Sequence, residues 1–372
     1  MLTRQLEKSA TGPWLDGKVA ATGRGGRRSL ALLMAVPLLT AGLCLTAPSA
    51  GAQTETASDS ARFTNPLLPS GPDPWITQVD GVYYYMHTLG KEIALWRTDN
   101  IANLAKAEKA VIWTPPKKGP NAHSIWAPEL HRLDGKWYLY YSATASGHKD
   151  DAHRAVFVLE NTGPDPMKGN WVDRGRINTA LPGIDGSVFD HGGKRYFVYS
   201  PYVGPTSGLA IAEMENPWTL KGKESILTQA DQPWEQKGGR QIVEGPEFLL
   251  GPKGDLFIVY SASACWSDDY ALGLLHAAPG ADPLDPAAWT KSAQPVFRSA
   301  NGVYATGHNG FFMSPDGKEH WIIYHANPGP GMKCTPKRAP HMQRFDWTEE
   351  GWPRFGEPVG AGTPLPVPSG SR

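Results

Sequence analysis

Cysteine is scarce. Three occur in 372 residues and none share a CxxC spacing, which excludes a cysteine-built metal centre. An excess of one charge is also missing: 36 Lys and Arg balance 36 Asp and Glu, with no basic or acidic run. That balance argues against nucleic acid as a partner. No window holds a sustained 3.6-residue apolar period, so helices should be rare. The one long hydrophobic run, Ser29 to Leu45, follows the cationic stretch Arg24 to Arg28 and precedes Ala50-Gly-Ala52. It reads as a cleaved export signal over 1–52, by the general secretory or twin-arginine route, rather than a membrane anchor. The mature chain is therefore expected to be secreted, free of the membrane and monomeric. Residues 53–62 read as a disordered lead-in, 63–360 as one domain, and 361–372 as a Pro/Gly/Ser-rich tail.

What the chain has in quantity is hairpins. Aromatic and β-branched runs flank a glycine turn five times, at Gly81, Gly135, Gly193, Gly254 and Gly317, spaced 54 to 63 residues apart. Each of the first four copies is followed by an apolar strand: Ile93 to Arg97, Ala155 to Leu159, Leu209 to Ala212 and Leu272 to His276. Tryptophan-bearing segments come next, at Val111–Trp113, Asn170–Val172, Gln232–Trp234 and Ala288–Thr290, and are expected to supply fourth strands. An all-β chain with this period is a β-propeller, here with five blades. Phe63 to Leu68 should pair with the last blade and close the ring. Fourteen Trp exceed what that packing needs, and sugar rings stack well on indoles.

Counting back from each turn glycine reaches Asp73, Trp126, Asp185, Glu244 and His308. In a propeller these positions enter the innermost strands, so three acids, a Trp and a His should meet at one mouth of the axis. Two carboxylates facing each other across a sugar linkage are the minimum for glycoside hydrolysis, one protonated and one ionised. The plainer reading is that each acid caps a strand entrance by accepting backbone N–H groups. Three acids at equivalent positions favour chemistry over capping. Cys265 and Cys334 leave equivalent strands of adjacent blades, so a bridge or two free thiols are both open.

Asp73-Pro-Trp75, His123 to Leu130, Ile184-Asp-Gly-Ser187, Val243 to Glu247 and Gly307-His-Asn-Gly310 together resemble glycoside hydrolase family 43, across about residues 65–360. The resemblance implies a five-bladed propeller that inverts anomeric configuration and acts on arabinans and xylans of plant cell walls, as polysaccharide or oligosaccharide. It implies Asp73 as general base, Glu244 as general acid and Asp185 as the group that tunes and orients Glu244. Cys265 to Tyr270, Ala281 to Leu284 and Ala305 to His308 resemble the exo-1,5-α-L-arabinofuranosidase branch, with β-xylosidase or endo-arabinanase as alternatives and a non-catalytic sugar-binding propeller as the rival from another class. His308 would help hold a calcium ion or a water cluster. Trp126 is expected as a stacking platform, Trp266 on the leaving-group side and Arg338 as a donor to sugar hydroxyls; packing or solvated roles are the plainer readings of all three. His123 and Glu129 would support Trp126, and Glu247 would be structural.

Overall fold

A computed structural model describes residues 61–371; four short 3-10 turns, and no α-helix, interrupt the strands among them. The expected signal peptide and the lead-in up to residue 60 lie outside the described residues. The hairpin turns account for the repeat. In the first three copies the loop is two residues, Asp80-Gly81, Asp134-Gly135 and Gly192-Gly193, with φ between 51 and 78° at all six positions. Such turns need positive φ at both residues, which glycine adopts freely and aspartate tolerates. They pin Val79 opposite Val82, Leu133 opposite Lys136 and His191 opposite Lys194.

Five antiparallel four-stranded sheets follow in chain order, each built from contiguous sequence. Blade one is Trp75–Val79, Val82–Met86, Ile93–Thr98 and Glu108–Trp113. Blade two is His123–Leu133, Lys136–Thr144, Arg154–Asn161 and Val172–Arg176. Blade three runs Gly183–His191, Lys194–Val203, Thr206–Asn216 and Thr219–Gln229. Blade four is Val243–Leu250, Leu256–Ala262, Ala271–Ala277 and Thr290–Lys291; blade five is Tyr304–Met313, His320–Asn327, Ala339–Trp347 and Pro353–Arg354. The first strand of every blade touches the first strand of the next, and that of blade five touches that of blade one. The circle is closed.

Apolar burial follows the same geometry. The buried hydrophobic residues form five clusters, and each draws on two neighbouring blades. A blade has two faces to cover and covers them with its neighbours. Leu139, Val198 and Ile258 are fully buried on this pattern.

Three expectations need correction. The fourth strand of blade three is Thr219–Gln229, not Gln232–Trp234, which enters the 3-10 turn Pro233–Gly239. Pro233 lacks the N–H a ladder needs, and Glu235 accepts from the N–H of Gln232 instead. Phe63 to Leu68 meets the last blade without joining it as a regular strand. Pro353–Arg354 covers only Asp346 and Trp347, leaving the front of Ala339–Trp347 open. There Leu67 donates to the carbonyl of Pro340 at 2.8 Å, and the Asn65 side chain bonds both backbone groups of Met342 at 2.9 Å. The expected tail and the end of the lead-in are not free: Arg62–Thr64 pairs with Pro364–Pro366 in a two-stranded sheet. Phe63, Leu67 and Leu365 complete the cluster between blades five and one.

Candidate active site

The innermost strands do not enter the ring straight. Each carries a residue with positive φ near its entrance: Asp73 at 56°, Ala127 at 42°, Asp185 at 55°, Gly245 at 55° and His308 at 51°. In blades two to five the pairing register shifts there, the mark of a bulge. Four of these N–H groups are held by a side chain from the preceding blade. Asp73 donates to His325 Nδ1 at 3.1 Å, Ala127 to Thr88 Oγ1 at 2.7 Å, Asp185 to Ser142 Oγ at 2.9 Å and His308 to Ser261 Oγ at 2.7 Å. In blade four the same task falls to an acid, as Gly245 donates to Asp185 Oδ2 at 3.1 Å. The bulge falls on Ala127 and Gly245, so Trp126 and Glu244 stand one residue before it.

The strand entrances bring Asp73, Trp126, Asp185, Glu244 and His308 to one cavity of about 370 Å³, with Arg338 on its wall. Its volume lies in the range of small-molecule sites. The three acids meet different fields. Burial would raise Asp73, but Arg338, His308 and His325 outweigh it and hold the carboxyl well below its usual range. Arg338 Nη1 is 3.1 Å from Oδ1, and Thr88 Oγ1 donates to Oδ2 at 2.6 Å. His325 is neutral, because burial and Arg338 push its pKa down to about 3.

Glu244 goes the other way. Burial raises it, and the Asp73 anion adds to that against the pull of His308 and a 2.8 Å hydrogen bond from Tyr270 Oη. Asp185 is raised to about 7, first by burial and then, against His308, by Glu244, Asp73 and Glu129. His308 is raised despite burial by the same three cavity acids, Asp73, Asp185 and Glu244. One carboxylate held well below its usual range, one raised by burial and a third raised to about 7 therefore share one space.

Other sequence candidates divide. Arg338 faces the cavity, but Asp73 occupies one of its nitrogens, so its first partner is the acid rather than a sugar hydroxyl. Trp126 lines the cavity with the Arg154 guanidinium 3.5 Å over its ring. Trp266 is not among the cavity's lining residues; it is 41% exposed, with its indole N–H on the carbonyl of Gly238 at 2.8 Å. Its neighbour Cys265 lines the wall instead, bridged to Cys334 with Cα atoms 5.3 Å apart. Of the open thiol readings, the bridge is the one present. His123 is exposed, at the first residue of its strand. Glu129 and Glu247 are buried; Glu247 accepts from Ser187 Oγ at 3.2 Å.

Sequence reasoning missed Thr88, Tyr270 and His325. His325 had a signal, since it stands where the matching strands carry Ser142, Ser200 and Ser261. Tyr270 had one in Gly307, where a β-carbon would collide with the Tyr270 ring, so the glycine makes room for it.

His308 by itself is a poor calcium ligand: the ion takes six to eight oxygens, and His308 offers a ring nitrogen that faces Asp73 Oδ1 at 3.5 Å. Among the described residues, the one group of three or more His, Cys, Asp or Glu spaced for a metal is elsewhere, at His148, Asp150 and His153.

The model of Glycosyl hydrolases family 43 matches residues 63–353, nearly all of the ring. The chain belongs to this family. It is thus a glycoside hydrolase with a five-bladed propeller fold. An extracellular exo-alpha-(1->5)-L-arabinofuranosidase of Streptomyces avermitilis is 37% identical over 350 residues, covering 90% of this chain and 70% of that protein. A protein of the same description from Streptomyces chartreusis is 38% identical, covering 72% of this chain and 83% of its own length. The crystal structure of an alpha-L-arabinofuranosidase from Lactobacillus brevis superposes with a TM-score of 0.76 at 35% identity, over 81% of this chain and 98% of that one.

Proposed function

We propose that this glycosidase is exported and releases α-L-arabinofuranose from the ends of α-1,5-linked arabinan or its oligosaccharides, with inversion. The observation that carries the reading is the opposed setting of Asp73 and Glu244 around one cavity. Asp73, held ionised by Arg338, takes a proton from water as that water's oxygen bonds to the anomeric carbon. Glu244, its carboxyl raised by burial, gives its proton to the departing glycosidic oxygen. Asp185 fixes the backbone of Gly245 and so orients Glu244 beside it. Inversion requires room for the water, which means carboxyl groups about 6.5–9.5 Å apart.

The walls favour action at a chain end. Leu89, Gly90, the Cys265–Cys334 bridge, Thr335 and Pro336 crowd the mouth around a space suited to a sugar unit rather than a through-running polymer. Arg154 covers one face of Trp126, which leaves the other for the sugar. Export is supported by the cationic and apolar start of the chain and by the extracellular relatives.

Proton NMR of α-1,5-arabinotriose turnover tests the whole reading. Free arabinose should appear first as the β-anomer, with arabinobiose left behind. Initial α-anomer would overturn inversion, and release of xylose from xylobiose instead would overturn the sugar assignment. Glu244→Gln should lose about 10²–10⁴-fold on oligosaccharides, the usual contribution of a positioned proton donor, while largely sparing aryl arabinosides whose leaving groups need no proton. Equal loss on both would remove Glu244 from the role.

A further inference from the structure

The loop between the second and third strands of blade two holds a constellation that the glycosidase chemistry does not use. His148, Asp150 and His153 each offer one donor atom, all within 4.8 Å of one another. Asp150 caps a single 3-10 turn, Asp151–His153, and residues three apart in such a turn eclipse. The cap carboxylate and the His153 ring therefore face each other, with Nδ1 2.6 Å from Oδ1. His148 folds back from the other side, its Nδ1 3.7 Å from Oδ2. The two imidazoles stack with centroids 3.5 Å apart and planes 21° from parallel.

We infer that His148, Asp150 and His153 form a binding site for a borderline divalent cation of the zinc class, on the loop that leads into Arg154, whose guanidinium lies over Trp126 of the cavity wall. Two nitrogens and one carboxylate oxygen are the donors such ions prefer, and they discriminate against calcium and magnesium, which want oxygen throughout. Donors on a tetrahedral zinc stand about 3.3 Å apart, given bonds near 2.0 Å. The rings reach the two oxygens of one carboxylate, His153 Nδ1 at 2.6 Å from Oδ1 and His148 Nδ1 at 3.7 Å from Oδ2, so rotamer adjustments of these exposed side chains bring the three donors to that spacing. A surface ion pair is the plainer use of these residues. It leaves two stacked rings turning their Nδ1 atoms to one carboxylate, and two imidazolium cations at that distance would repel. A metal ion satisfies both rings at once. Three protein ligands leave a coordination position for water.

The place matters as much as the donors. Arg154 follows directly, donating to the carbonyl of Lys149 at 3.2 Å and to Asp151 Oδ1 at 3.3 Å while its guanidinium lies over Trp126. Asp151 also holds Arg240 from blade three's outgoing loop at 2.5 Å. An ion on this loop braces the segment that supports the Trp126 wall.

Isothermal titration calorimetry of the untagged, metal-free protein with ZnCl₂ tests the site. One Zn²⁺ per chain should bind, with at least tenfold weaker affinity in His148→Ala and in His153→Ala. Asp150→Asn should weaken it as well, and circular dichroism should show all three variants folded. Absence of zinc uptake, or uptake that survives both histidine substitutions, would overturn the assignment. Calcium uptake lost with the same substitutions would overturn the class of ion.

Discussion

Asp73 and Asp185 occupy the same place in two different blades, and they are not equivalent. Both sit at the entrance of an innermost strand with φ near 55°, and both have their N–H held by a side chain of the preceding blade. The backbone repeat treats them alike. Their surroundings do not: Asp73 faces Arg338, a cation from the loop after Cys334, whereas Asp185 faces Glu244, Asp73 and Glu129. One becomes a carboxylate that stays charged, the other a carboxyl raised to about 7. The ring delivers acids; residues outside the repeat decide which of them carries the proton.

The sharpest way to break that contrast is to remove the charged member. Asp73→Asn should cost about 10²–10⁴-fold in kcat/KM on every arabinoside, good leaving group or not, because the water loses its base in each case. Rates within tenfold of the parent would strip Asp73 of that role. A smaller effect should follow from erasing the difference while keeping the acid. In Arg338→Met the largest counterweight to burial is gone, so the Asp73 carboxyl rises. The base is then protonated at pH values where it was ionised, and the acidic limb of the kcat/KM profile moves to higher pH by about a unit or more. A limb left in place would mean that His308 and Thr88 suffice to hold Asp73.

The repeat was legible for a physical reason. Two-residue turns with positive φ at both positions restrict their residues, so Asp80-Gly81, Asp134-Gly135 and Gly192-Gly193 print the hairpin period into the sequence. From that period followed the blades and the meeting of Asp73, Asp185, Glu244 and His308. The bulge at Ala127 was not legible, because alanine does not announce the left-handed conformation; Gly245 is of the type that does, but a glycine before Pro246 reads equally well as a plain break. Trp126 and Glu244 were therefore counted as equivalent to Asp73, Asp185 and His308, although they stand one residue before the positive-φ position. Loop partners were the other blind spot. Tyr270 lies 26 residues beyond Glu244 and Arg338 lies 265 beyond Asp73, separations at which no local pattern links donor to acceptor. Trp266 was misplaced by one residue, since its neighbour Cys265 turns to the cavity and the bridge fixes that choice.

The remaining member of the pair makes a prediction of opposite sign, on stability instead of rate. Asp185 is raised to about 7 from the ordinary aspartate value of 3.8, so the folded protein binds more protons than the unfolded chain between those two values. Its contribution is fully present below about pH 3.8 and is lost as the pH rises through 7, where a buried anion must be carried beside Glu244 and Asp73. Asp185→Asn keeps an oxygen to accept the Gly245 N–H and cannot ionise. The variant should therefore gain stability relative to its parent as the pH rises from 4 to 8, by on the order of 1–4 kcal/mol, while losing activity because the titratable group that tunes Glu244 is gone. Urea unfolding at both pH values checks it. A stability difference independent of pH would mean that Asp185 is already ionised at low pH, and that the contrast with Asp73 is one of position alone. A gain confined to high pH would show the acid cluster kept at a cost to stability, as expected where charge is gathered for chemistry.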